Sequence, residues 1–291
     1  MSKLSDLLFG KSQYLLYAGS FSEDYNLRVK NSFKMGKENP IISLETISDL
    51  VLKQEVKNDR IFNTIELKTI KGITESDQMR PHLEQSLLLA DITKVIEVQR
   101  NTRGKVTAVT NMDSLWEDWK KWQKTHLLEL IPEDRNRKRF IENYERGLKD
   151  FDYSFRNNLQ YLLLLPEIYE ITSPPIPYYN YNTSVHSFIS RMLGAELKYF
   201  YTMELSTLKQ EGEVMDMGLT IVLDEKSEHI KILKPYYEQM GVDLTNFRFA
   251  LEISYLLEKS TSKIMSAKLN LIEHLHQDMF YQIEMELTIN K

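Results

Sequence analysis

The chain has 291 residues, 42% hydrophobic and 11% aromatic with 16 Tyr and 12 Phe, which excludes wholesale disorder and leaves open one large core or two moderate ones. Its 37 Lys and Arg against 42 Asp and Glu give a formal charge of -5, a sign that repels a phosphate backbone and argues against nucleic acid as a partner. With no Cys, disulfides, thiolate metal sites and a cysteine nucleophile are excluded.

The amino end carries one early Lys, an acidic Asp6 and polar breaks instead of a continuous apolar run, so it does not read as a signal peptide. The cytoplasm is the expected location, with export the alternative if a leader lies outside this sequence. No stretch has the apolar length needed to span a bilayer as a helix; the tightest cluster, Leu162 to Leu165, is far too short.

Residues 1–110 read as a β-rich region. Tyr25, Leu27 and Val29 alternate, Ile61, Ile65 and Leu67 share a parity, and Ile92 to Val98 is rich in β-branched residues. Arg103-Gly104 marks a turn into Val106 to Thr110, giving a hairpin. Leu83 to Asp91, preceded by Pro81, fits either a helix or a strand.

At Asn111 the period lengthens, and residues 111–165 read as three helices. Ser114 followed by Glu117 has the spacing of a capping box, and Leu115, Trp116, Trp119, Trp122, Leu127 and Leu130 recur at helical steps from about 114 to 130. Pro132, Glu133 and Asp134 predict the start of a second helix through Phe140, Ile141, Tyr144 and Leu148. A third is expected from Tyr153 to Leu165.

Residues 166–190 read as a Pro- and Tyr-rich connector, because Pro174, Pro175 and Pro177 forbid helix and withhold sheet donors. Residues 191–291 alternate again. Leu197 to Leu205, Met215 to Leu223, Phe247 to Leu257, Met265 to Leu271 and Tyr281 to Ile289 each place apolar side chains on one parity, the mark of antiparallel strands with one wet face. Ile230, Leu233, Tyr236, Tyr237 and Met240 add one helical candidate before Gly241. The expected class is α+β: a predominantly antiparallel β-sheet in two strand-rich halves with an inserted cluster of three helices.

Chemistry is thinly marked. His274 and His276 share a strand face and, with Asp278, could ligate a metal as the centre of a hydrolase, although a solvated pair beside a turn is the simpler reading. Trp116, Trp119 and Trp122, with the basic Arg135 and Arg139, could form a partner-binding surface, and the indoles could equally pack into a core. Phosphate-loop, H-E-x-x-H, G-x-S-x-G and calcium-loop patterns are absent, so no cofactor is called for. The leading expectation is a non-enzymatic binding or assembly protein acting on another protein or on itself. Its main alternative is a carrier of an apolar small molecule between sheet and helices, near Met203, Met217, Phe249 and Met285.

Overall fold

The computed structural model describes residues 16–169, 183–192, 198–224 and 247–290, together with positions 235 and 238. Of the helical candidate from Ile230 to Met240 only Pro235 and Glu238 are described, both helical; the rest of it and the Pro-rich core of the connector lie outside the described residues.

Among the described residues, all eleven strands belong to one antiparallel sheet. Three long strands open it: β1 (Phe21–Met35), β2 (Ile42–Lys57) and β3 (Arg60–Thr74). Helix α1 (Arg80–Leu89) and a single 3-10 turn then lead to the short hairpin β4 (Val95–Arg100) and β5 (Val106–Val109). Four helices follow, α2 (Met112–Leu130), α3 (Asp134–Lys149), α4 (Phe151–Arg156) and α5 (Leu159–Leu164). The remaining strands are β6 (His186–Ile189), β7 (Lys198–Glu211), β8 (Val214–Leu223), β9 (Arg248–Glu258), β10 (Ile264–His276) and β11 (Met279–Ile289). The order across the sheet is β5-β4-β3-β2-β1-β11-β10-β9-β8-β7-β6.

The two strand-rich stretches are therefore one sheet rather than two halves, joined where β1 lies against β11 with Tyr25 opposite Ile289 and Met35 opposite Met279. Alternation in sequence specifies which face is wet. It does not say which strand is the neighbour.

Helix boundaries depart from the sequence reading in two informative places. Helix α2 starts at Met112, two residues before the expected box, and its cap residue Asn111 accepts from Glu97 N and donates to Val95 O, so the cap is spent on anchoring the helix to β4. The expected third helix is broken into α4 and α5 at Asn157-Asn158, where Asn158 accepts from Gln160 N and starts the second piece.

The buried face is concave. Adjacent strands lie roughly 4.8 Å apart, so β6 and β9, three steps distant, would hold their side chains about 14 Å apart in a flat sheet. Instead the Phe188 and Phe249 ring centroids are 6.0 Å apart, and Tyr199 on β7 stacks on Phe249 at 4.3 Å. Curling is helped by a split: β8 pairs with β9 only from Val214 to Thr220, then stays with β7 to Leu223. The aromatic stack fills the gap that opens.

A curled open sheet still has two edges with unpaired amides, a liability for association. Here both edges are stapled to α4. Asp152 accepts from Val109 N on β5 at 2.9 Å, and Asn157 at the helix end accepts from Ser187 N on β6 at 2.9 Å. Tyr153 adds a hydroxyl contact to Ser187 at 3.3 Å. One short helix thus closes the sheet into a barrel whose eleven strands meet across a helical seam.

Removing either staple strands a partly buried backbone donor, at a cost of about 1–3 kcal/mol. Asp152→Ala and Asn157→Ala are each expected to lower stability by that amount in urea unfolding. Amide exchange should quicken selectively at Val109 in the first variant and at Ser187 in the second; uniform loss of protection across the sheet would contradict the local role.

Candidate functional site

The seam is also where the chemistry collects. A pocket of about 230 Å³ opens between α4, α5, the start of β5 and the strand β6. Its apolar wall is Phe155, Tyr161, Leu162, Leu165 and Phe200; Lys105, Glu167, Ser184 and His186 supply polarity. Each is placed by a local necessity. Pro166 ends the chain's run of helices, so Glu167 leaves α5 in an extended turn, and β6 brings Ser184 and His186 back alongside it.

Ser184 donates both its backbone N–H and its hydroxyl to Glu167, at 3.1 Å and 2.8 Å. His186, only 5% exposed, stacks on Tyr201 with centroids 5.6 Å apart. The Arg156 backbone favours the protonated ring, whereas Nε2 has no hydrogen-bond partner among the described residues and lies 4.0 Å from Glu167 Oε1. We assign the ring proton to Nδ1, on the side of the Arg156 backbone, which leaves Nε2 a buried acceptor without a donor among the described residues. Burial pushes the imidazole below its ordinary pKa, Glu167 partly offsets this, and Lys105 reinforces it.

This is not a hydrolytic triad. The serine bonds the carboxylate rather than the imidazole, so the Ser–His–acid connectivity of such a triad is not formed.

Behind the pocket lies a latch. Gln54, Asn63 and Arg100, on β2, β3 and β4, are all at most 2% exposed. Arg100 donates to Gly104 O at 2.6 Å, to Gln54 Oε1 at 3.2 Å, to Asn63 Oδ1 at 3.3 Å and to Pro166 O. Tyr169 packs its ring on the guanidinium and donates its hydroxyl to Gln54 at 3.1 Å. The cation is thus solvated by neutral oxygens, and its fork pins the segment that carries Glu167 onto the β4–β5 hairpin. Gly104 is required there: its φ is +92°, and a Cβ would stand 2.8 Å from both Arg100 Nη2 and Pro166 O.

A larger hollow, about 680 Å³, lies on the wet face across β8 to β11 and β1. Its charges answer one another, with Lys268 3.0 Å from Glu286 and Lys30 3.8 Å from Glu284. Size favours it, but the seam pocket alone of the two holds a buried polar atom with no partner, and that is the better sign of a ligand site.

The residues singled out in sequence fall elsewhere. Trp119 and Trp122 are buried, stacked at 5.5 Å, and their indole N–H groups donate to Glu145 and to Leu88 O, so these rings hold α2 against α3 and α1 and present no open surface. Trp116 is half-buried, and Arg135 and Arg139 are exposed on α3. Asp278 pairs with Lys34 at 2.5 Å. The His276 side chain lies outside the described residues, and among the described residues no three His, Asp or Glu come together as a metal site. Met203, Met217 and Met285 are buried, and Phe249 belongs to the aromatic stack; none of the four lines the seam pocket.

One further group went unmarked in sequence. Glu273, on the apolar parity of β10, is fully buried; Oε2 accepts from Arg191 N at 2.8 Å, Oε1 has no hydrogen-bond partner among the described residues, and burial raises its pKa.

No family model matches the chain, and no curated protein matches it. Among solved structures, DynF from the dynemicin biosynthesis pathway of Micromonospora chersina aligns over 97% of this chain and 86% of its own, at 6% identity and a TM-score of 0.22. A putative outer membrane lipoprotein-sorting protein domain from Vibrio parahaemolyticus aligns over 92% and 84%, at 9% identity and a TM-score of 0.14. At these scores neither likeness carries an argument about this chain. No helix among the described residues is long and apolar enough to cross a membrane.

Two outcomes follow from the buried charges. Arg100→Leu leaves several buried acceptors without a donor and is expected to cost about 3 kcal/mol in urea unfolding, with Arg100→Lys recovering only part because one ammonium cannot reach the same oxygens. For Glu273, a folded pKa above the unfolded value means the penalty is present at neutral pH and fades as pH falls through the folded pKa toward the unfolded one. Glu273→Gln should therefore be more stable than the parent at pH 7, with the gain shrinking toward pH 4; a gain independent of pH would show that charge is not its source.

Proposed function

We propose that this protein is a non-catalytic binder of a small, partly apolar molecule, held in the seam between helices and sheet. The observation that carries the reading is the His186 Nε2 acceptor, buried and without a donor, in the wall of a pocket whose other side is aromatic and aliphatic. A buried polar atom left unsatisfied costs about 1–3 kcal/mol, a penalty that an occupant with a donor would remove. At about 230 Å³ the space lies below the ~300–1,000 Å³ of drug-sized sites, so the occupant is small.

The assembly reading had its anchor in the tryptophans, and Trp119 and Trp122 now support the helical layer. Carriage accords better with a concave apolar face and a closed seam. The seam is the proposed site because the unpaired acceptor lies there, whereas Met203, Met217 and Met285 are packed into the core.

Saturation-transfer magnetic resonance with a panel of small fragments, each combining a donor with an apolar group, tests the reading on the full chain. Val106→Trp, at a half-buried wall position, should abolish binding while leaving the melting temperature near that of the parent. If no fragment binds the parent, or if the variant binds as well, the seam is not a ligand site.

A further inference from the structure

Resting on that reading of the pocket, we propose that its ligand is a small zwitterion of the apolar α-amino acid class. The ammonium is shared between His186 Nε2 and Glu167, the carboxylate faces Lys105, and the side chain lies against the aromatic and aliphatic wall.

Three observations specify the class. First, Nε2 and Glu167 Oε1 are both acceptors and are 4.0 Å apart. One atom bearing two or more hydrogens can stand about 2.8 Å from each, which describes an amine, ammonium or primary amide nitrogen and not an ether, carbonyl or carboxylate, and the Glu167 carboxylate favours the charged one of these. Ser184 cannot play that part, since its N–H and hydroxyl are already given to Glu167.

Second, the pocket has a cation to spare at its mouth. Arg156 is paired with Asp152 on the same helix, whereas Lys105 is exposed at the rim and makes no ion pair among the described residues. A ligand positive at one end and negative at the other meets both Glu167 and Lys105. A simple amine would leave Lys105 facing its own charge.

Third, the size fits. A volume of 230 Å³ is the liquid share of roughly eight waters, about that of a molecule the size of leucine. Phe155, Tyr161, Leu162, Leu165 and Phe200 would receive an aliphatic or aromatic side chain and reject a charged one.

Thermal-shift and calorimetric titrations of the full chain with L-leucine, L-phenylalanine, N-acetyl-L-leucine and 3-methylbutylamine separate the parts. The free amino acids should raise the melting temperature, and each blocked analogue, lacking the ammonium or the carboxylate, should bind at least tenfold more weakly. Lys105→Met, at an exposed position that the core does not need, should weaken the amino acids at least tenfold without affecting neutral fragments. In nitrogen-15 spectra, the His186 Nε2 signal, identified by its loss in His186→Gln, should move on adding leucine.

Equal binding of N-acetyl-L-leucine, or an unmoved Nε2 signal, would overturn the proposal. Binding of neutral fragments with no binding of amino acids would sink the zwitterion and leave the pocket reading intact. Failure of both sets would remove both.

Discussion

The structure depends on two hydrogen bonds from opposite edges of the sheet to one six-residue helix. Strand pairing can extend a sheet indefinitely, but it cannot by itself end one; β5 and β6 would each offer open backbone donors to any passing strand. Asp152 and Asn157 satisfy an amide on each edge, and in doing so they fix how far the sheet must curl. Curvature, the inward convergence of Phe188, Tyr199 and Phe249, and the existence of a pocket between the edges are all consequences of that closure.

Closure by a helix differs from closure by a twelfth strand. A strand pair would have filled the seam with backbone bonds and left no room for a ligand, as in fully hydrogen-bonded barrels. A helix touches each edge at one point and holds them apart. Side chains then line the remaining space, and polar ones appear there because solvent or a ligand can reach them. The latch around Arg100 stiffens this region from behind, so Glu167 is positioned by the sheet and not by its own loop.

Period-two alternation made most of the strands legible, because Tyr199, Met203, Met217, Ile253 and Leu287 must all face one core whatever their neighbours are. The helices from 112 to 164 were legible for the same reason, except where Asn157 and Asn158 divert their side chains to β6 and to a cap. What could not be read was pairing between segments far apart: β1 against β11, or β6 three strands from β9. The seam site falls in this second class. Glu167 sits in a plain Leu-Pro-Glu-Ile-Tyr run and His186 in a short apolar strand, and nothing local separates them from ordinary surface residues. Arg100 was hidden likewise, since a basic residue ending a strand usually marks solvent, and only Gln54, Asn63 and Pro166 arriving from elsewhere make it internal. The three-residue spacing of the tryptophans suits two facing helices as well as open water, so it left the core and surface readings both open.

The junction of β1 with β11 sets a schedule for biogenesis. Leu27 waits for Leu287, some 260 positions later, so β1 leaves the ribosome with one edge bare and keeps it bare until synthesis has passed β11. The seam elements, from β4 to β7, are contiguous in the chain and can assemble while the rest is still being made. The clasp can thus close without the strands from β8 to β11, whereas β1 waits longest of all for its second neighbour.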